Sequence, residues 1–252
     1  MPSNAEMRDV LLASSLPEHI QATLMARYGL PNILRALPLA ENNTNGELQA
    51  IIAEMEKELF YKHLVETKRY LQAEIKKRTG GRDTLDGWIV CGSGLASLPR
   101  AEGITILGER RNPDKKGILA KEIPHWPLPK APGHGTEIFI ADIGGQLVGI
   151  ATGRAHIYDT NYTPMQLRMI TSPLVIAKGL GIQWLVTTNA AGILDNGRVK
   201  VGDVVVDVDY VNQQGVNPFI GLDDERLGSR FPGKANVADP DLFVRLEKRV
   251  PP

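Results

Sequence analysis

A glycine-rich turn that follows an apolar run has the residue types needed to bind an anion. The segment WIVCGSGLASL, residues 88–98, breaks after Cys91 into Gly-Ser-Gly. Glycines have no Cβ and let backbone N–H groups turn toward an anion, and the Ser93 hydroxyl adds a donor. The pattern indicates a phosphate site, with a tight strand-to-helix turn as the alternative. The P-loop pattern is absent, the dinucleotide fingerprint matches weakly, and Cys91 stands where a nucleophile elbow requires glycine.

The segment GRAHIYD, residues 153–159, places several polar side chains close together. Arg154 and His156 are two residues apart, so in an extended strand both side chains point to one side, and Tyr158 continues that side. The planar guanidinium of Arg154 matches phosphate, and His156 can donate to phosphate or to a sugar hydroxyl. Asp159 could orient His156. The alternative is a solvated surface strand.

Two further loops offer small residues around a polar group. The segment APGHG, residues 131–135, places the imidazole of His134 between two glycines. The segment VTTNAAGIL ends an apolar run in Asn189 and Ala190, where small side chains let a ligand approach the backbone. An ordinary loop histidine and helix–sheet packing are the alternatives. No closely spaced set of ligands accompanies the histidines, so we expect no metal site.

Composition limits the classes of partner and the compartment. Lys+Arg and Asp+Glu are both 29, which gives a net charge of zero and argues against a nucleic-acid partner. Cys91 is the only cysteine, so an intrachain disulfide is impossible and a reducing compartment fits best. The sequence shows no signal peptide and no long apolar run. We therefore expect a cytoplasmic protein without a membrane partner.

The polar loops need a framework, and hydrophobic patterning predicts an α/β fold. Short β-rich runs occur at residues 87–92, 136–143, 146–152, 182–190 and 203–211. Helices are predicted at 16–29, from Leu48 to the Gly80-Gly81 pair, at 163–181 and from about Asp239. Nearly unbroken apolar strands separated by a helix predict a mixed, largely parallel central sheet with flanking helices. Ligands then sit beyond the carboxyl ends of the strands.

Five ordered segments carry a resemblance to a known family. The segments CGSGLASLP, IPHWP…APGHG, GRAHIYD, VTTNAAGIL…VGDVVV and NPFIGLDDERLGSRFP stand in the order found in trimeric purine nucleoside phosphorylases, over about residues 86–236. The resemblance implies the nucleoside phosphorylase fold and a homotrimer. It also implies that phosphate splits inosine or guanosine into the free base and ribose 1-phosphate in purine salvage. Phosphate is the co-substrate, and no metal or organic cofactor is implied.

The same resemblance assigns roles to particular residues. Ser93, His134, Arg154, Ala155, His156 and Ala190 correspond to phosphate-binding positions. Tyr158 and Asn189 correspond to ribose-binding positions, and His156 is the catalytic candidate. Asp159 stands where the family usually has glutamate, and its shorter side chain is expected to hold His156 less well.

The resemblance also predicts what this chain lacks. We divide it into a helical extension of unassigned role, residues 1–60, and a phosphorylase domain, 61–252, without the family's later base-binding segment. We therefore expect the phosphate-side residues to be present and phosphorolysis to be slow or absent. Two alternatives remain open, a methylthioadenosine phosphorylase and a catalytically impaired homologue that acts as a binding module. The segments VCGSGL, PGHG and GRAHIYD favour the purine nucleoside enzyme over the former.

Overall fold

The computed structural model describes residues 45–130, 136–194, 197–229, 231 and 238–248. Within these residues it has three α-helices, α1 (Asn45–Thr79), α2 (Pro164–Gly179) and α3 (Pro240–Glu247). The three helices agree with predicted ones. The predicted helix at residues 16–29 lies outside the described residues.

Six strands form one sheet. They are β1 (Gly87–Val90), β2 (Ile104–Ile106), β3 (Gly117–Leu119), β4 (Glu137–Ile143), β5 (Gln146–Ala151) and β6 (Trp184–Thr187). The order is β2-β4-β5-β1-β6, and β3 also pairs with β4. Strand β1 is parallel to both β5 and β6, whereas β4 is antiparallel to β2, β3 and β5. The expected mixed α/β fold is confirmed, with its parallel part at the β5-β1-β6 end.

Helix α2 connects two parallel strands, and its ends follow from local sequence. Thr163 caps the amino end by accepting a hydrogen bond from the Gln166 N–H, and Pro164 fits the first turn because its missing N–H has no partner there. Pro173 lies inside the helix and cannot donate to the Met169 carbonyl. The Ser172 hydroxyl donates to that carbonyl at 2.7 Å, so the helix continues past the proline.

Helix α1 is part of the main hydrophobic core. Phe60 and Ile75 are fully buried, and they share one cluster with Trp88 of β1, Ile140 of β4 and Leu180 after α2. Burying a large apolar side chain contributes about 1.5–3 kcal/mol, so the helix is held by packing as much as by its own hydrogen bonds. The predicted domain boundary at residue 60 falls within this helix. The division itself stays a prediction.

The segment 203–211 differs from its predicted strand. In the structure these residues have no regular secondary structure, and Val204 and Val208 are 92% and 62% exposed. A strand needs a hydrogen-bonded neighbour and a covered face, and the apolar pattern alone supplies neither. In the described part of the chain, β6 forms one edge of the sheet. No described helix is long and apolar enough to cross a membrane.

Candidate active site

Three of the predicted loops start at one edge of the sheet. Strands β5, β1 and β6 run parallel, with Val90 paired to Ala151 on one side and to Thr187 on the other. The carboxyl ends of parallel strands lie at the same edge, so the glycine loop, the Arg154 loop and the Asn189 loop leave the sheet together. The parallel strands therefore bring these three polar loops to the same edge of the sheet, as predicted.

Thr188 joins the three loops. Its hydroxyl accepts a hydrogen bond from the Gly92 N–H at 2.8 Å, and its carbonyl accepts one from Arg154 Nη1 at 2.8 Å. A Cβ on Gly92 would lie 2.5 Å from the carbonyl oxygen of Thr188 and 2.7 Å from the Asn189 Cα, so only glycine permits this approach. Sequence reasoning missed Thr188. Its only signal was a hydroxyl at the end of an apolar strand.

Arg154 retains capacity to bind an anion. Its one hydrogen bond within the described residues goes to the Thr188 carbonyl, and none of the described carboxylates lies within ion-pair distance. A guanidinium has five N–H donors in a fixed fork, and one neutral contact leaves most of them available. The residue is half-buried, where a bound anion would be poorly screened by solvent.

A cavity of about 250 Å³ lies against the Arg154 and Asn189 loops, and the described residues of its wall include none of the glycine loop. The side chains of Arg154, Thr188 and Asn189 contribute its polar side. Its apolar side consists of Trp88, Trp126 and Pro127, together with Ile170, Pro173 and Leu174 of α2. Trp126 and Pro127 were not predicted as site residues. Both belong to a loop that is distant in sequence from the other residues of the wall. The spacing of residues in this loop does not indicate a contact with the cavity.

His156 and Tyr158 form the second part of the candidate site. Their rings stack with centroids 4.8 Å apart and an angle of 8° between planes. The expected alternation along a continued strand is wrong, because β5 ends at Ala151 and residues 157–159 form a 3₁₀ turn. The turn nevertheless brings the two rings together, and Tyr158 is exposed enough to meet a ligand.

Asp159 holds the backbone of this turn. Its buried carboxylate accepts the His156 N–H at 2.8 Å and the Lys130 N–H at 3.1 Å. The His156 Nδ1 lies 3.6 Å from Asp159 Oδ2, an ion-pair distance. Burial raises the pKa of Asp159, but these backbone donors and the charge of His156 outweigh it and leave the pKa below its usual range. Asp159 therefore orients His156 mainly through the main chain.

The remaining predicted site residues have fewer contacts with these loops. Ser93 and Ala190 are exposed, and the Asn189 amide donates to the Ala190 carbonyl at 3.3 Å. His134 lies outside the described residues. The structure thus brings together the Gly92, Arg154 and Asn189 segments, and the ligand roles of the individual residues stay predictions.

Two further observations concern metal ligands and the thiol of Cys91. No group of three or more potential metal ligands occurs among the described residues. Cys91 is buried directly before the glycine loop, and burial raises the pKa of its thiol. The thiolate is the reactive form of cysteine, so this residue is poorly suited to act as a nucleophile.

Comparison with known proteins gives one consistent answer. A family model described as the Phosphorylase superfamily matches residues 88–250. Purine nucleoside phosphorylase 1 of Bacillus subtilis is 32% identical over 160 residues, which are 64% of this chain and 54% of that relative. Purine nucleoside phosphorylase of Rattus norvegicus is 30% identical over 191 residues, 75% of this chain and 59% of that relative. The chain thus spans somewhat over half the length of these curated relatives.

Solved structures agree with the sequence relatives. Isoform 2 of purine nucleoside phosphorylase from Schistosoma mansoni, in complex with cytosine and ribose-1-phosphate, superposes with a TM-score of 0.57 at 28% identity. The match covers 75% of this chain and 60% of that one. The family model covers more than half of the chain and includes all three loops that meet at Thr188. This chain therefore belongs to the phosphorylase superfamily.

Proposed function

We propose that this protein cleaves purine nucleosides, inosine or guanosine, with inorganic phosphate. One observation carries the proposal: Thr188 links the glycine loop and the Arg154 loop, and the Arg154 guanidinium has no described carboxylate partner. Family membership and the names of the relatives support the same reaction. The names of the relatives do not favour the methylthioadenosine or the binding-module alternative.

The proposed reaction needs no nucleophile from the protein. A phosphate oxygen bonds to C1′ of the ribose while the bond from C1′ to the purine nitrogen breaks, and the leaving purine takes a proton. Holding phosphate beneath the sugar is a positioning effect, and its negative charge stabilises an oxocarbenium-like transition state. The buried thiol of Cys91 is consistent with a site in which the bound anion performs the attack.

The residues divide between the two substrates. The residues proposed to bind phosphate are Ser93, His134, Arg154, Ala155, His156 and Ala190. Tyr158 and Asn189 are proposed to bind ribose. His156 is proposed to contact both phosphate and a sugar hydroxyl; its stack on Tyr158 and the bond from its N–H to Asp159 support this role.

Further properties belong to the same proposal. The resemblance supports a homotrimer that works in purine salvage without a metal or organic cofactor. The single buried cysteine and balanced charge support a cytoplasmic location without nucleic-acid or membrane partners.

The direct experiment is to incubate the protein with inosine, with and without phosphate, and to measure hypoxanthine and ribose 1-phosphate. We expect slow release of both products that depends on phosphate and that Arg154→Gln abolishes. The same assay with adenosine and with methylthioadenosine compares the nucleosides that the protein cleaves. Phosphate binding without any release would contradict the proposal and favour the binding-module alternative, and the absence of both would contradict both.

A further inference from the structure

Helix α1 contacts a loop that lines part of the cavity of the candidate site. The loop, residues 123–130, leads from Ile123 to Lys130 and includes the cavity residues Trp126 and Pro127. Three side chains on consecutive turns of α1 face it, His63, Glu66 and Thr67. We call these three the α1 clamp. None of them belongs to the predicted site.

The clamp makes three different contacts. Thr67 is almost completely buried, and its hydroxyl lies 2.7 Å from the Pro124 carbonyl and 2.8 Å from the His63 carbonyl one turn earlier, so the two carbonyls share one donor proton. Glu66 Oε2 lies 2.6 Å from His125 Nε2, and this contact lowers the pKa of Glu66. The His63 ring stacks on the His125 ring at 3.7 Å. A hydrogen bond, a charged contact and a ring stack thus meet at two adjacent loop residues.

The loop needs such support because its backbone is unfavourable. His125 has a φ of +58°, in the left-handed region that non-glycine residues seldom adopt. Such a conformation is unfavourable for a residue with a side chain and persists when surrounding contacts hold it. The α1 clamp contacts His125 and the preceding Pro124, so it can hold this turn in place.

The far end of the loop reaches the site residues directly. The Lys130 N–H donates to Asp159, and Asp159 accepts the N–H of His156. Trp126 packs 6.4 Å from Trp88, ring centroid to ring centroid, and both line the cavity beside Arg154. A shift of the loop would therefore move the cavity wall and remove one of the two backbone donors to Asp159.

We propose that the α1 clamp positions the loop 123–130 and, through it, Asp159, His156 and the cavity wall beside Arg154. His63, Glu66 and Thr67 are positioning residues, because none contacts the reacting groups. The effect on phosphate binding rests on the proposed function, whereas the dependence of the loop on α1 does not.

The test compares Thr67→Val, which removes the hydroxyl at nearly constant volume, with Thr67→Ser, which retains it. Hydrogen exchange of the Lys130 and Trp126 amides reports the loop, and the amides of β4 report global opening. We expect Thr67→Val to exchange several-fold faster in the loop, since it removes the hydroxyl that contacts the part-buried Pro124 carbonyl, while Thr67→Ser stays near wild type. Glu66→Ala is a second variant at an exposed position, and Lys76→Ala on the same helix is the control.

Phosphate affinity is measured by calorimetry on the same proteins. Affinity that falls several-fold in Thr67→Val and Glu66→Ala, and recovers in Thr67→Ser, supports the proposal. Unchanged loop exchange in both variants overturns it, and so does faster exchange with unchanged phosphate affinity. If the wild type binds no phosphate while the loop still depends on Thr67, the proposed function fails and the attachment of the loop to α1 stands.

Discussion

Large apolar side chains are buried in one region of the molecule and exposed in another. In residues 56–187, Phe60 and Ile140 are completely buried in the core that α1 and α2 share with the sheet, and Ile150 is completely buried in a second cluster with Cys91 and Val148. In residues 189–229, Val201 and Val204 are more than nine-tenths exposed. Both regions have comparable apolar runs in the sequence. The difference shows that an apolar run is buried only where a second element is available to cover it.

Residues near the carboxyl end of the second region nevertheless contact the first. The Arg226 guanidinium contacts Asp224 and Glu58 of α1 and lies 3.9 Å above the Tyr61 ring. These contacts raise the pKa of Arg226 and lower that of Asp224. Leu222 is buried against the same core. Residues 222–227 therefore belong to the packed region, and the exposed valines precede them.

The largest expected effect comes from deleting a core side chain. Phe60→Ala should lower the free energy of unfolding by about 3–5 kcal/mol, because it leaves a cavity in the core. Val204→Ala, in the exposed region, should change it by less than about 0.5 kcal/mol. Urea unfolding of both variants measures the contrast. A small loss for Phe60→Ala would mean that α1 is separate from the phosphorylase fold, as a boundary at residue 60 implies.

The next effect concerns a buried charge between α1 and α2. Arg168 is 3% exposed, lies 3.7 Å from Glu56, and donates to the Ile220 carbonyl at 3.2 Å. Glu56→Ala should cost about 3 kcal/mol, because it leaves the guanidinium buried without its carboxylate. Replacing both residues with Met should cost less than the single change. The double variant is thus the control, and equal losses in both proteins would contradict the account.

A smaller effect depends on pH. Burial lowers the pKa of His63 to about 4, so the folded protein resists protonating a ring that the unfolded chain protonates near pH 6.5. The unfolded state then binds more protons as pH falls from about 6.5 to 4, and stability is lost over that range.

His63→Phe should remove part of this loss. We expect it to retain about 1 kcal/mol more of its stability between pH 7.5 and 5 than wild type, since solvent screens part of the shift at a half-buried ring. Thermal unfolding at several pH values measures it. Asp207→Asn in the exposed region is the comparison and should leave the pH profile unchanged. Identical profiles for wild type and His63→Phe would contradict the assignment of the pH dependence to the packed region.

The packed region was largely predictable from the sequence, and the exposed region was not. Strands β1, β4, β5 and β6 and helix α2 lie where apolar runs, glycines and prolines predicted them, because these signals are local. The run 203–211 has the same local signal. A strand there would also need a partner strand, and pairing between distant segments is not visible in the run itself.

The same distinction applies to the candidate site. Gly92, Arg154 and Asn189 were predicted at one edge, because parallel strands place their carboxyl ends together. Thr188, Trp126 and the Lys130 amide were missed. Their contacts join segments that are far apart in sequence, with a separation of 96 positions from Gly92 to Thr188 and of 29 positions from Lys130 to Asp159. Single residue types carry no information on such pairs.

Phosphate binding by the isolated chain is the most direct test of the central claim, that the loops joined by Thr188 form an anion site. Calorimetry should show wild-type binding that weakens about 10- to 100-fold in Arg154→Gln, since charge-assisted hydrogen bonds contribute about 1.5–3 kcal/mol. Arg69→Gln, an exposed change of the same charge on α1, should bind as wild type does. Equal affinity in all three proteins, or no binding by the wild type, would contradict the account.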